Sequence, residues 1–292
     1  MLNLRPRQLL LVSLLAGFLT MALKSLAWYL TDSVGFLSDA LESLVNVAGA
    51  GFALWMVTIA RRPADDGHPF GHSKAEYFSA AFEGGMIFLA ALAILFSAGE
   101  RLLNPQSIQA LGIGTLLTAL ASLINLAVAM LLLRGGKDWH SPALEGDGKH
   151  LLTDVWTTAG VVLGVALAVI FEQNWLDPLV AILVALHILL EGSRILRNAI
   201  NGLMDPALPA EQLMALIQIL DNIAPQQVQF ANIRTRAAAT QAFALVDLRV
   251  PGDWTIAQAH QLADQAEQQL ALIGIQLTVH LEPDSQTADV RS

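Results

Sequence analysis

The chain has 292 residues, of which 54% are hydrophobic and only 14% are charged. Because a soluble domain is about 25% charged, this composition indicates a membrane protein. The net charge of −9 argues against a nucleic-acid partner, since phosphate binding needs clustered Lys and Arg. The sequence has no cysteine, which excludes disulfides, thiolate metal sites and a cysteine nucleophile, so any metal site must use His, carboxylate, amide or backbone ligands.

Six apolar segments are each long enough to cross a bilayer, which requires about 20 residues. Each should be helical, because a lone strand in lipid leaves its backbone polar groups unpaired. The segments are residues 8–30, 36–60, 78–103, 109–134, 147–171 and 174–196. A signal peptide is the alternative for the first segment, but its length and the aromatic pair Trp28 and Tyr29 at its end favour a span.

Basic residues are distributed unevenly among the connections between these segments. Arg and Lys occur before the first, between the second and third, between the fourth and fifth, and after the sixth. The opposite connections hold Asp32, Glu172 and Asp177, with Arg101 as the exception. The positive-inside rule therefore predicts that both termini and the loop at 65–76 lie in the cytoplasm.

The C-terminal part of the chain reads as a water-soluble domain. We therefore predict a transmembrane domain over residues 1–202 and a cytoplasmic domain over residues 203–292. The apolar spacing in the second domain predicts a helix, two strands, a long amphipathic helix with Thr255 as its N-cap, and a final strand. This αββαβ order predicts a small α+β domain with an antiparallel or mixed sheet and helices on one face.

Two of the apolar segments carry ionisable residues, which are costly in lipid and usually serve a function. In both segments a spacing of three and then four residues puts the polar side chains on one helix face. The residues are Asp39, Glu42 and Asn46 in the second segment and Asp147, His150 and Asp154 in the fifth. If the two faces meet, they form a polar cluster inside the membrane.

Four of these side chains are suited to hold a metal ion. Glu42 and Asn46 would meet His150 and Asp154, and one nitrogen among oxygen donors suits Zn²⁺, Fe²⁺ or Mn²⁺ and disfavours Cu⁺. The outer Asp39 and the inner Asp147 would then conduct ions or protons towards the two sides of the membrane.

Two alternatives remain open from the residues alone. The polar groups of the second and fifth segments could pair with Lys24 or with one another and so hold the helices together. They could also form a proton relay that never binds a metal, since chains of Asp, Glu and His inside a membrane serve that purpose too.

The sequence resembles the cation diffusion facilitators, a family of proton-coupled exporters of divalent metal ions. The resemblance is carried by GFLSDALESLVNV, DDGHPFGHSKAEYFSA, ALEGDGKHLLTDVWTT and GLMDPALP, and it covers nearly the whole chain. It is strongest to the bacterial zinc and iron exporters that lack a histidine-rich loop. It implies a transport site midway across the inner membrane, formed by Glu42, Asn46, His150 and Asp154.

The second-segment half of this site departs from the family pattern. Relatives of this kind usually have two aspartates, or His and Asp, where this chain has Glu42 and Asn46. Asn46 is a neutral donor and Glu42 a longer carboxylate. The resemblance thus implies efflux of a divalent cation, with zinc favoured and Fe, Mn, Co or Cd as alternatives, including a Mn- or Fe-selective exporter.

The resemblance also implies an accessory zinc site on the loop between the second and third segments. Its ligands would be Asp65, His68 and His72, with Asp66 less favoured. A carboxylate and two neutral imidazoles can close on one Zn²⁺, with water or another group as the fourth ligand. A polar loop with a turn, and no metal, is the alternative.

Two further implications concern a homodimer. Lys74 and Asp205 would form a charge interlock near the dimer axis, although a lysine at the membrane interface needs no such partner. The C-terminal domain would adopt a ferredoxin-like, metallochaperone-like fold and dimerise. Its candidate metal ligands are Asp247, His260, His280 and Glu282. Because Ala231 and Asp247 stand where relatives often have histidines, a dimer without metal is an equal alternative.

These features predict a metal/proton antiporter that works by alternating access. Its partners would be a divalent cation, protons, membrane lipid and a second copy of the chain, with no cofactor beyond bound metal. A passive metal channel and a membrane-anchored metal sensor are the alternatives. An enzyme is not expected, because the sequence has no nucleophile elbow, phosphate loop or zinc-protease motif.

Overall fold

The structure is a computed structural model of the 292-residue chain, and it describes residues 5–31, 34–103, 112–173 and 175–284. The chain divides into two compact units, Met1–Ile200 and Asn201–Ser292. The first consists of long helices and the second of helices and a sheet.

The helices of the first unit are 26 to 29 residues long. They are α1 (Pro6–Thr31), α2 (Val34–Ala60), α3 (Ala75–Leu103), α4 (Ile113–Trp139), α5 (Pro142–Ile170) and α6 (Leu176–Leu203). Helix α5 begins earlier than the apolar pattern predicts, because Ser141 caps it by accepting a hydrogen bond from the Leu144 N–H and Pro142 occupies its first turn.

The prediction of six spans is confirmed only in part. Among the described residues, four helices are apolar and long enough to cross a membrane, namely Pro6–Leu30, Ala75–Leu103, Ile113–Trp139 and Pro178–Leu203. The described part of α2 contributes a shorter apolar stretch, Asn46–Ala60. Several side chains of α2 and α5 lie outside the described part of the structure, so these two predicted spans stay predictions.

Two apolar clusters hold the first unit together. Helices α1, α2, α4 and α5 share a core that includes the fully buried Leu10, Leu132 and Leu144. Helices α3 and α6 meet through Ile87, Ala91, Ile188 and Ile195. Contact between membrane helices depends on such close packing, because lipid tails are as apolar as the side chains themselves.

The start of α5 is tied to the start of α3. The Ser141 hydroxyl donates a hydrogen bond to the carboxylate of Glu76, which is only 3% exposed. Ser141 therefore serves as the N-cap of α5 and as the partner of a buried acid. The ionisable stripe of α5 begins at Asp147, nearly two turns beyond this contact.

Replacing Ser141 by Ala should lower the free energy of unfolding by about 2 kcal/mol. A lost N-cap costs about 1 kcal/mol, and the lost hydrogen bond to Glu76 costs about 1 kcal/mol more, since the Ala143 N–H still donates to this carboxylate. Chemical denaturation in detergent measures the change. Ser193→Ala is the matched control, because that hydroxyl only donates to the Leu189 carbonyl of its own helix at 2.7 Å. Equal stability of the two variants would contradict the bridging role of Ser141.

The second unit has the predicted element order, helix–strand–strand–helix–strand. Its elements are α7 (Ala210–Ile223), β1 (Gln229–Ala238), β2 (Gln241–Val250), α8 (Ile256–Leu272) and β3 (Ile275–Pro283). The sheet is mixed, because β2 pairs antiparallel with β1 and parallel with β3. Thr255 caps α8 as predicted, in a reciprocal capping box with Gln258.

Both helices of the second unit lie on one face of the sheet. Leu216 and Leu220 of α7 and Leu270 of α8 share a core with Ala244 and Val246 of β2. Side chains alternate across a strand, so the residues between these β2 positions point to the other face.

Candidate metal site

Buried polar side chains gather in the first unit, where α5 packs against α2, α3 and α4. None of them is more than 8% exposed. They are Asn46, Glu83, Asn125, Asp147, His150 and Asp154. Ionisable groups with so little exposure inside a membrane helix bundle are expensive unless they are paired or bind an ion.

Asp154 joins three helices through one carboxylate oxygen. Its Oδ2 accepts a hydrogen bond from the Asn46 amide of α2, and a second from Asn125 Nδ2 of α4 at 3.2 Å. The structure therefore brings together two of the predicted ligands, Asn46 and Asp154. Asn125 was not predicted. The Oδ1 atoms of both amides are buried and have no hydrogen-bond partner among the described residues.

His150 contacts a carboxylate that the sequence reasoning missed. Its Nδ1 lies against Oε2 of Glu83, which projects from α3 and is 0% exposed. The other oxygen, Oε1, is buried and unpaired within the described part of the chain. His150 also lies within electrostatic range of Asp147 and Asp154 on its own helix. The signal available in the sequence was the helical spacing of Glu83 with Glu76 and Ser79, which puts the three side chains on one face of α3.

The other stripe residues have different surroundings. Glu42 lies on α2, but its side chain is outside the described part of the structure. Asp39 is half-buried and interacts with the charge of the buried Lys24, the pairing that the sequence offered as the alternative to a metal. Asp147 is 2% exposed and interacts electrostatically with Glu83.

The loop between α2 and α3 brings its three predicted ligands together. Ligand atoms of Asp65, His68 and His72 all lie within 4.8 Å of one another. Asp65 Oδ1 is 3.2 Å from His68 Nδ1, and Asp65 Oδ2 is 3.4 Å from His72 Nε2. Gly71 adopts a φ of 79°, the left-handed conformation that glycine adopts most readily, and so the chain can turn back before His72.

The surroundings of Asp65 favour its ionised form, which is the form that binds a metal ion. The His68 backbone N–H donates to its Oδ1 at 2.7 Å, and this hydrogen bond holds the pKa of the Asp65 carboxyl below its usual range. The carboxylate therefore stays ionised when the pH falls into the range where an ordinary aspartate takes up a proton.

Replacing His68 and His72 together by Ala should remove about one bound Zn²⁺ per chain, because a carboxylate alone binds zinc weakly. Transport should persist, since the cluster around Asp154 is untouched. Metal analysis after equilibrium dialysis measures the stoichiometry. His140→Asn is the control, because His140 is an exposed histidine whose left-handed backbone Asn tolerates. Unchanged zinc content in the double variant would contradict a loop site.

The predicted interlock of Lys74 with Asp205 stays a prediction. The Asp205 carboxylate lies 3.3 Å from Arg236 Nη1, within the second unit. Asp205 has a φ of 53°, and its backbone lies just beyond the end of α6.

The four candidate ligands of the C-terminal domain do not come together within one chain. Asp247, His280 and Glu282 alternate with the buried residues of β2 and β3, so they lie on the face of the sheet away from the helices. His260 lies on α8, is exposed, and is 3.7 Å from Asp264. Helix α8 packs on the opposite face, and this separates His260 from the other three.

Comparison with known proteins agrees with this arrangement of two units. A family model described as the cation efflux transmembrane domain matches residues 10–204, and one described as the cytoplasmic domain of cation efflux proteins matches residues 208–284. An uncharacterized transporter of Synechocystis, sll1263, is 46% identical over 274 residues, which is 93% of this chain and 88% of that protein.

Two further proteins are similar to this chain in sequence. The cation-efflux pump FieF of Klebsiella pneumoniae is 29% identical over 265 residues, which is 90% of this chain and 88% of that protein. A solved structure of the proposed zinc transporter CzrB is 31% identical and covers 27% of this chain and 99% of its own. Its TM-score is 0.26, so it adds no structural argument.

Proposed function

This chain belongs to the cation efflux, or cation diffusion facilitator, family, and on that basis we propose that it exports a divalent metal cation in exchange for protons by alternating access. It is a membrane transporter and not an enzyme. The identity of the metal, the coupling to protons and the residues that carry them are parts of the proposal.

The observation that carries the proposal is the buried cluster around Asp154 and His150. Asp154 supplies a negative charge, His150 a nitrogen donor, and Asn46 an amide oxygen that has no partner among the described residues. With Glu42 from the same helix face, these are the groups that first-row divalent cations take as ligands. Zinc is the favoured substrate, because it accepts nitrogen and oxygen ligands in a four-coordinate site.

Protons would be exchanged at the same ligands. A metal ligand must be deprotonated, so binding from the cytoplasm releases protons, and protonation from the other side expels the metal. His150 is the best carrier, because imidazole takes up and releases protons near neutral pH. Asp39 and Asp147 would conduct ions along the second and fifth helices.

The proposal also covers the oligomeric state of the chain and its orientation in the membrane. The chain would act as a homodimer in the bacterial inner membrane, with both termini and the C-terminal domain in the cytoplasm. The match of residues 208–284 to the cytoplasmic domain of cation efflux proteins supports the placement of that domain. The loop cluster of Asp65, His68 and His72 would then face the cytoplasmic supply of metal.

Transport by purified protein in proteoliposomes tests the proposal. We expect saturable Zn²⁺ uptake that an opposing pH gradient accelerates. Flux that rises linearly with Zn²⁺ and ignores the pH gradient would identify a channel instead. Zinc binding without any flux would identify a membrane-anchored sensor.

A further inference from the structure

We infer that Glu83 is the residue that orients His150, holding Nδ1 so that Nε2 faces the transported cation, and that the transport site therefore extends to a third helix, α3. This inference rests on the proposed function, because it concerns the same site. It assigns Glu83 a positioning role that acts through His150.

The first support is the contact itself. Glu83 Oε2 lies against Nδ1 of His150, and the two residues are 67 positions apart on helices α3 and α5. An ionised carboxylate only accepts hydrogen bonds, so Nδ1 must be the donor. A neutral imidazole that donates from Nδ1 keeps its lone pair on Nε2, which is then the atom available to a metal. Histidines that bind metals almost always donate their other N–H to such a group.

The second support is the burial of Glu83. The residue is 0% exposed, and it lies inside the membrane helix bundle beside His150. Placing a carboxylate there is costly, and carboxylates inside membrane spans usually serve a function. Its second oxygen, Oε1, has no hydrogen-bond partner among the described residues, so the acid is not there to complete a closed network.

The third support is the space that two neighbouring helices leave for this side chain. A Cβ at Gly49 of α2 would lie 2.6 Å from Glu83 Oε1. A Cβ at Gly146 of α5 would lie 3.4 Å from the Glu83 Cβ. Gly49 follows Asn46 by three residues, and Gly146 precedes His150 by four, so both glycines belong to the helices that carry the proposed ligands.

These positions give two independent ways to disturb Glu83. Glu83→Gln keeps the size of the side chain and removes its charge. Gly49→Ala keeps the charge of the carboxylate but puts a methyl group 2.6 Å from Oε1, so the carboxylate must shift. Gly51→Ala is the matched control for the second variant, because a Cβ there meets nothing within 4 Å.

The experiment combines Zn²⁺ affinity, transport and the state of the His150 ring. Zinc titration and proteoliposome flux are measured on the wild type and the three variants of the full chain. Nitrogen-15 NMR of labelled histidine, with His150→Ala to assign the signal, reports which ring nitrogen carries the proton and which binds Zn²⁺.

We expect Glu83→Gln and Gly49→Ala to weaken Zn²⁺ binding at the transport site by about 10- to 100-fold, the usual effect of losing the group that orients a metal ligand. The ordered Nδ1–H signal of His150 should be lost in Gly49→Ala and should shift in Glu83→Gln, whose neutral amide oxygen accepts more weakly than a carboxylate, while Gly51→Ala matches the wild type. Wild-type affinity and an unchanged His150 signal in Glu83→Gln would overturn the inference and leave transport intact. A wild type that neither binds nor moves Zn²⁺ would overturn the proposed function itself. If Glu83→Gln does not fold, an unchanged His150 signal in Gly49→Ala overturns the inference by itself.

Discussion

Replacing Asp154 by Asn should reduce Zn²⁺ transport at least about a hundredfold, since losing a charged partner of a bound ion costs about 3 kcal/mol. The new amide oxygen can still accept from Asn46 and Asn125, so helices α2, α4 and α5 should remain packed. The loss would therefore reflect charge at the site and not unfolding. Initial rates in proteoliposomes, with thermal unfolding as the check on folding, measure the effect.

Two controls make this result specific. Glu100→Gln neutralises an exposed carboxylate near the end of α3 and should transport normally. His150→Ala should fail like Asp154→Asn, whereas His187→Ala should not. His187 is also on a helix of the first unit, but its ring packs edge-on against Trp156 at 5.7 Å, and no carboxylate of the described residues pairs with it. Full flux in Asp154→Asn or His150→Ala would contradict the assignment of the transport site.

Replacing Asn46 by Asp should tighten Zn²⁺ binding about tenfold and slow turnover. Asn46 donates directly to Oδ2 of Asp154, so the substitution puts two carboxylates in contact. Like charges at such a distance repel, and a divalent cation between them relieves the repulsion. Stronger binding in the resting state then delays release to the other side of the membrane. Titration calorimetry gives the affinity, and proteoliposome assays give the turnover.

The control for this prediction is Asn198→Asp, which makes the same chemical change at an exposed position on α6. It should leave affinity and turnover unchanged. Repeating the titration with Mn²⁺ and Fe²⁺ tests whether Asn46 sets the preference among metals. Equal or weaker Zn²⁺ binding in Asn46→Asp would show that Asn46 does not lie beside the bound ion.

The helical spacing of polar residues in the sequence predicted much of this arrangement, because it shows which side chains share a helix face. The spacing of Asn46, His150 and Asp154 put them on two faces, and the structure brings Asn46 and Asp154 into contact. The ends of helices were less predictable. Helix α5 begins at Pro142, five residues before the apolar pattern, because the cap at Ser141 and not hydrophobicity decides where a helix starts.

Glu83 and Asn125 were missed although the sequence carries a signal for both. Each ends a buried polar stripe at helical spacing, Glu76–Ser79–Glu83 in α3 and Thr118–Ser122–Asn125 in α4. Ser and Thr are common between membrane helices, so these stripes stand out less than those of α2 and α5. Their importance comes from contacts with Asp154 and His150, which are distant in the chain. Similarly, a motif can mark His260 and His280, but only the tertiary packing of α8 determines that they lie on opposite sides of the sheet.

The most direct test of metal/proton exchange is the simultaneous measurement of both ions in one vesicle. Purified wild-type protein in proteoliposomes would be mixed by stopped flow with Zn²⁺, and a zinc dye and a pH dye inside would be followed together. Antiport predicts that zinc entry and proton exit rise together, that both saturate, and that both disappear in Asp154→Asn. Zinc entry with no proton movement, at a rate that no pH gradient alters, would contradict it.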